Sequence, residues 1–420
     1  MSDLTLNKDQ QTFVEEAYVN LTMPGWWTLC GYGGTGKSTS LKALFAKNPF
    51  LVFLAPTHKA KEVLMKKLGK EAYVITTTRF TKGFKGTREE RLQFDIEDAE
   101  RQGDEGLIGK LTKKMKKLVK SGKAQEPVFG VKKRDDGEEG EWVSVICDEA
   151  SMVDLDTRNL IIENCDSVIF VGDDFQVPPV TRHGDEERQD WFNRTTHDWT
   201  FNKVVRQAEG SAILELASLI RSAGDDFEFP LRKWMMENEN GEDLFVLEES
   251  KDCLIQAIED DTMMLSFMND VVDEFCYDVR KANGRDPQVV TPDDQLYVAN
   301  NFGEDFKNKD SVRVVNDVHL KAGVLALNLI NLSTEKKCQT IVNTAKLVVK
   351  LKKAQRLEQL SVKGLVLRYD YARTIHSSQG SEWDFIMYRH CIPDHIDTLT
   401  HNRLLYTAVT RAVESFILLK

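Results

Sequence analysis

The chain has 420 residues, 41% of them hydrophobic and 29% charged, the balance of a soluble protein too long for one ordinary core. No apolar run approaches the roughly 20 residues that span a bilayer. The opening MSDLTLNKDQ has neither the basic nor the apolar region of a signal peptide, so a cytoplasmic protein with no membrane partner is expected. A formal net charge of −11 argues against coating nucleic acid by charge alone, though not against holding one strand in a narrow groove. Seven scattered cysteines, none paired at metal-ligand spacing, read as reduced thiols without a structural zinc.

In chain order, residues 7–20 read as a helix and WWTLC (26–30) as a buried strand. A glycine loop follows, then a helix over 37–47. NPFLVFLAP gives a second strand, VSVIC (143–147) a third and SVIFV (167–171) a fourth. Short apolar strands alternating with helices predict a parallel sheet covered on both faces. Residues 83–141 interrupt this rhythm. They combine an amphipathic stretch, with Leu107, Ile108, Leu111, Met115, Leu118 and Val119 on one face, with PVFGVKKRDDGEEGEW (127–142), which reads as a hairpin turning near Asp136–Gly137. The lysines from Lys113 to Lys120, like Lys346, Lys350, Lys352 and Lys353, are read first as solvated faces. A second α/β rhythm begins near residue 200, with a helix over 211–221 and strands at 262–267 and 414–420. Between 286 and 367 short β-like runs replace it, predicting a β-rich insertion.

GYGGTGKS (31–38) fits the phosphate-binding loop in full and lies between a strand and a helix. Glycines let backbone N–H groups turn toward phosphate oxygens. Lys37 would reach the β- and γ-phosphates of ATP, and the Ser38 hydroxyl would ligate Mg²⁺. Gly33, Gly34, Thr35, Gly36 and Thr39 complete the cradle. Asp148 and Glu149 end the third strand; the first is assigned to Mg²⁺ and the second to polarising the attacking water. After the fourth strand, GDDFQVPPV (172–180) offers Gln176, whose amide both donates and accepts and so can sense the γ-phosphate.

Taken together the series resembles superfamily 1 helicases, specifically the Dda-like and RecD-like group. LNKDQ (6–10) resembles the adenine-recognition motif, with Gln10 on the base. APTHKA (55–60) and TIHSSQGSEWD (374–384) resemble segments that contact single-stranded DNA, and SFMN (266–269) resembles a strand-end motif of the second core domain. VVRQA (204–208) and YTAVTR (406–411) resemble the motifs whose arginines, here Arg206 and Arg411, enter the ATP site. The matches run in the family's order from residue 6 to residue 411.

The resemblance implies an α/β protein with two RecA-like core domains and ATP between them. Domain 1A would span 1–82 and 142–198 and domain 2A 199–285 and 368–420. A 1B insertion at 83–141 would carry the pin that splits a duplex, and 286–367 would form an SH3-like 2B insertion. The catalytic set would be Lys37, Glu149, Gln176, Arg206 and Arg411, with Gly380 and Glu382 also near the nucleotide. DNA contacts would come from Pro56, Thr57, His58, Thr374, His376 and Ser377, and from Thr77, Thr78 and Arg79, where the family often has a histidine. Stacking aromatics are sought in Phe80, Phe84 and Trp383. The group's habits imply 5′→3′ movement by a monomer on single-stranded DNA and its junctions with duplex. A single-strand-binding protein or replisome components would be partners, at the nucleoid or, for a phage protein, in the host cytoplasm. Two other readings of the same loop stay open: an RNA-directed or purely translocating ATPase, and a small-molecule phosphotransferase.

Overall fold

The computed structural model describes residues 6–87, 93, 96, 111–116, 127–131, 143–178, 190–203, 211–286, 290–299, 309–321, 324–332, 335–343, 348–349, 356–357, 360–362 and 365–420. The first lobe begins with α1 (Lys8–Asn20), opened by a capping box in which Asn7 and Gln10 each bond the other's backbone N–H. β1 (Gly25–Gly31), α2 (Lys37–Lys47), β2 (Val52–Ala55), α3 (His58–Leu68), β3 (Tyr73–Thr76) and the short α4 (Thr77–Thr81) follow. After β4 (Lys82–Thr87) and β5 (Pro127–Val131) come β6 (Ser144–Cys147), α5 (Leu155–Glu163), β7 (Ser167–Gly172) and β8 (Trp199–Phe201).

Six of these strands form a parallel sheet in the order β3-β2-β6-β7-β1-β8. Successive residues face opposite sides. Phe53 and Ile169 therefore join the layer of Phe13, Leu29 and Leu41, while Leu54 and Phe170 join that of Val145, Ile161 and Phe192. Both faces are covered, which is why these strands are near-continuous apolar runs.

The excursion between β4 and β6 is described in part. Pro127–Val131 is a strand, as its sequence reads, and it pairs antiparallel with Lys82–Thr87, with Phe84 opposite Phe129. The hairpin read over 127–142 turns near Asp136–Gly137. Residues 132–142, including that turn, lie outside the described residues. Leu111–Lys116 is helical, with Lys113, Lys114 and Lys116 exposed and Leu111 and Met115 half-buried, as its amphipathic spacing predicts.

The second lobe contains α6 (Ala212–Ala223), α7 (Leu231–Asn238), β9 (Leu244–Leu247), α8 (Lys251–Glu259), β10 (Met263–Ser266) and α9 (Asn269–Ala282). Next come β11 (Gln295–Val298), β12 (Ser311–Lys321), β13 (Val324–Asn331), β14 (Lys337–Asn343), β15 (Val348–Val349), β16 (Arg356–Leu357), β17 (Leu360–Val362) and β18 (Leu365–Tyr369). The chain ends with β19 (Ala372–Thr374), α10 (Ile375–Ser378), β20 (Trp383–Arg389), α11 (Thr398–Val409) and β21 (Ala412–Leu419).

The lobe's sheet is parallel, ordered β19-β10-β20-β21-β9. The β-rich run forms a separate antiparallel sheet, β14-β13-β12-β11-β18-β17, with β15 and β16 as a two-stranded ribbon. That sheet is rooted on α9 by charge: buried Arg280 meets buried Asp294 at 3.1 Å, and Arg285 meets the same carboxylate at 2.7 Å. The fold is thus α/β, with two parallel-sheet lobes and a β insertion in the second.

Candidate functional site

The phosphate loop links the last residue of β1 to the first turn of α2. Gly36 adopts φ +84°, a left-handed conformation that favours glycine. A Cβ there would also lie 2.2 Å from Nε2 of Gln10. That contact follows from Gln10 itself, which is buried and donates Nε2 to the Thr35 carbonyl at 2.9 Å. Thr35 closes the loop by donating its hydroxyl to the Tyr32 carbonyl at 2.8 Å. Lys37 folds onto the loop, donating to the carbonyls of Gly31 and, at 2.9 Å, Tyr32.

Asp148 and Glu149 follow β6 directly, and the Asp148 N–H is fixed on the Leu54 carbonyl at 2.9 Å. Burial pushes the Asp148 carboxyl up to about 6, with the neighbouring Glu149 adding to the rise and Lys37 and Lys67 opposing it. Glu149 has φ +53°, uncommon for a residue with a Cβ. Gln176 is buried, and its Oε1 has no hydrogen-bond partner among the described residues. Arg411 is held by three carbonyl or hydroxyl acceptors: Thr407 and Ser381 carbonyls at 3.2 Å each and the Thr410 hydroxyl at 3.4 Å.

These groups line one cavity of about 440 Å³, within the range of small-molecule sites. Gln10, Gly33, Gly34, Gly36, Lys37, Ser38, Thr39, Asp148, Glu149 and Gln176 reach it from the first lobe. Gly380, Glu382, Thr410 and Arg411 reach it from the second. Thr35 is fully buried behind the loop and does not line it. Arg206 and the rest of VVRQA lie outside the described residues.

Sequence reasoning missed Tyr32, Lys42 and Lys67 in this cavity. Lys67 had a findable signal: Ala60, Val63, Leu64 and Lys67 make one i, i+3, i+4, i+7 stripe of α3, and all four line the cavity. Lys67 pairs with Glu382 at 3.7 Å across the lobes.

The candidate DNA residues lie at the ends of strands in each lobe. Thr57 caps α3, accepting the Ala60 N–H at 3.1 Å, and His58 is the first helical residue. Thr374 caps α10 in the same way, accepting the Ser377 N–H at 3.3 Å, and Ser377 returns its hydroxyl to the Thr374 carbonyl. The two segments adjoin: a Cβ on Gly380 would lie 3.1 Å from Ala60 Cβ and 3.7 Å from Thr57 Oγ1. Pro56, Thr57, His58, Thr374, His376 and Ser377 are half-buried. Burial and the charge of Lys309 lower the His376 pKa. Thr78 and Arg79 are exposed on α4, whereas the Thr77 side chain is buried and faces inward. Phe80 packs partly into the first lobe's core and Trp383 into the second's.

The family model described as an AAA domain matches residues 5–231, more than half of the chain. The chain belongs to this family. The UvrD-like helicase C-terminal domain matches residues 369–419 in addition, and the pair marks a superfamily 1 helicase. Solved structures of similar fold include a Pif1 helicase from Bacteroides in complex with ADP-AlF3 and ssDNA, with a TM-score of 0.51 and 15% identity over 99% of this chain and 92% of that one. The Bacteroides Pif1 bound to ssDNA gives 0.50 at the same identity and coverage. Pif1 helicases at forked dsDNA give 0.52, again at 15% identity over 99% and 92%. A comparison with curated proteins finds no match.

Proposed function

We propose that the protein uses ATP hydrolysis to move along single-stranded DNA, 5′→3′, and to unwind duplex ahead of it, working as a monomer of the phage type. One observation carries this: a nucleotide-sized cavity lined from two parallel-sheet lobes, with a phosphate loop on one side and Arg411 on the other. A cavity shared in this way couples hydrolysis to closure. The Pif1 structures of similar fold hold ssDNA or forked DNA, which favours DNA over RNA as the track.

In this reading Lys37 leaves the loop carbonyls to meet the β- and γ-phosphates, while the loop's N–H groups hold their oxygens. Glu149 orients and polarises the attacking water, Gln176 donates its amide N–H to the γ-phosphate and keeps Oε1 free to accept from that water, and Arg411 and Arg206 meet the charge that develops in transfer. The carboxylate pair fits a divalent cation: Asp148 is pushed up to about 6 by burial and Glu149, which is what an acidic site short of positive charge does. Ser38 and Asp148 would hold Mg²⁺, which supplies neutralisation of phosphate charge when bound. Thr57, His58, Thr374, His376 and Ser377 hold the DNA backbone with small hydroxyls and imidazoles, which position without reading sequence. The strand contacts of the two lobes then advance in turn as the cavity closes and reopens. The β4–β5 excursion supports the separating pin, and the antiparallel insertion covers the strand.

The deciding experiment is unwinding of duplexes with either a 5′ or a 3′ single-stranded tail, with ATP and Mg²⁺. Unwinding of the 5′-tailed substrate alone is expected. Preference for the 3′ tail reverses the polarity, and unwinding of neither, with ATP turnover indifferent to DNA, defeats the motor reading.

A further inference from the structure

The segment Asp173–Val177 leaves β7 of the first lobe, yet much of what holds it comes from the second. Phe175 and Val177 are buried in the second lobe's core, with Phe175 edge-on to Tyr406 at 5.3 Å. The Val177 N–H donates to the Thr407 hydroxyl at 3.2 Å, and its carbonyl accepts from the Gln379 amide at 2.6 Å. Gln176 lies between these anchors, tied to the first lobe by its own carbonyl, which accepts from Asn193 at 3.2 Å.

The acidic start of the strap is held as firmly. Arg221, near the end of α6, donates to Asp173 at 3.1 Å and to Asp174. The Tyr406 hydroxyl donates to the other oxygen of Asp173 at 2.6 Å and is itself bonded by the Gly33 backbone. The guanidinium lies 4.1 Å over the Tyr32 ring and 5.3 Å from that of Phe175. One side chain of the second lobe thus touches both the strap that carries Gln176 and the phosphate loop. From the first lobe, Asp174 meets only the Cys30 thiol and His197, the latter at 3.9 Å, among the described residues. A thiol whose pKa is pushed up to about 12 by burial stays protonated and brings no charge.

We propose that Arg221 is a positioning residue for ATP hydrolysis. By tying the Asp173–Val177 strap and the Tyr32 side of the phosphate loop to the second lobe, it makes the strap travel with that lobe and presents Gln176 to the γ-phosphate on closure. This rests on the motor reading above and deepens it. The role needs a fork that engages two carboxylates and a flat face that stacks, which arginine has and lysine lacks.

The test compares wild type, Arg221→Ala, Arg221→Lys and Tyr406→Phe for ATP turnover with and without single-stranded DNA. Binding of a fluorescent ADP counts intact sites, and a melting temperature is taken for each variant. Arg221→Ala is expected to lower kcat per intact site by about 10- to 100-fold, while KM for ATP and ADP affinity stay within about threefold. Arg221→Lys should recover part of the loss, and Tyr406→Phe, which removes a single hydroxyl, should lose less than either. Should Arg221→Ala not fold, the lysine and phenylalanine variants carry the comparison. Unchanged kcat per intact site in Arg221→Ala or in Arg221→Lys, whatever the melting temperature, overturns the proposal. Wild-type turnover that ignores DNA would instead count against the helicase reading, leaving the ratio of DNA-free kcat values to judge Arg221.

Discussion

Gln10 serves two neighbours at once, accepting the Asn7 N–H at 2.9 Å and donating to the Thr35 carbonyl at 2.9 Å. One N–H and one oxygen lone pair remain. That pair complements the adenine edge, which offers one donor and one acceptor, but not guanine, which offers two acceptors. Gln10→Ala should therefore raise KM for ATP by about tenfold, narrow the preference for ATP over GTP and leave kcat nearly unchanged. It should also cost about 1 kcal/mol of stability through the lost cap. Asn7→Ala, which loses the cap alone, separates the two effects in steady-state kinetics and denaturant melts. Arg411 is pre-oriented by the acceptors around it. Arg411→Ala should lower turnover on the order of 10³-fold with DNA affinity in the absence of nucleotide unchanged, read by ATPase assay and fluorescence anisotropy. That the phosphate loop, Asp148, Glu149 and Gln176 come together in one cavity was legible in sequence, because phosphate chemistry restricts residue type at fixed spacing from a strand end. Arg221 was not, since its partners Asp173 and Asp174 are brought to it only by the fold, and for Lys67 the helical stripe could be read but not its pairing with Glu382.

Among the elements, β1, β2, β6, β7 and α2 fell where the apolar runs put them, because a strand buried on both faces admits few alternatives, while the shorter β3 and β8 went unread. The pairing of Pro127–Val131 with Lys82–Thr87 was not read, since period-two patterning marks a strand without naming every neighbour. The junction of α3 with the segment after α10 was equally invisible, resting on the absence of a side chain. Gly380 has φ +76°, and a Cβ there would crowd Ala60 at 3.1 Å. Gly380→Ala should push these two segments apart and lower DNA-stimulated turnover by about tenfold or more. Adding Ala60→Gly relieves the contact but not the backbone strain, so only partial recovery is expected in the same assay. Full activity in Gly380→Ala would show that the junction tolerates spreading.

Across the whole molecule, two lobes far apart in sequence are joined by buried polar contacts. Arg403 on α11 grips Asp190 of the first lobe with both carboxylate oxygens, at 3.2 and 3.1 Å, and both residues are largely buried. Breaking a buried pair from one side costs about 3–5 kcal/mol where the remaining charge is left alone, and here Arg194, 3.5 Å from Asp190, offsets part of that. Arg403→Met should split a single calorimetric transition into two as the lobes uncouple, and it should lower single-strand affinity less than ATP turnover. The two-lobe plan itself was legible because the alternation of strand and helix stops and restarts. The lobe-to-lobe contacts were not, since no periodicity records which surfaces meet.

Glu149 carries its carboxylate on a left-handed backbone, beside a second half-buried acid, Asp148. Both conditions cost free energy, the backbone alone roughly 1–2 kcal/mol, and neither would be needed by a protein selected only to survive heat. Glycine at this position should relax the main chain and remove the repulsion, giving a variant that melts a few degrees higher by calorimetry, about 2–4 °C per kcal/mol in a domain of this size, while it no longer turns over ATP. A screen for thermotolerance would thus be drawn to this codon and return inert enzyme.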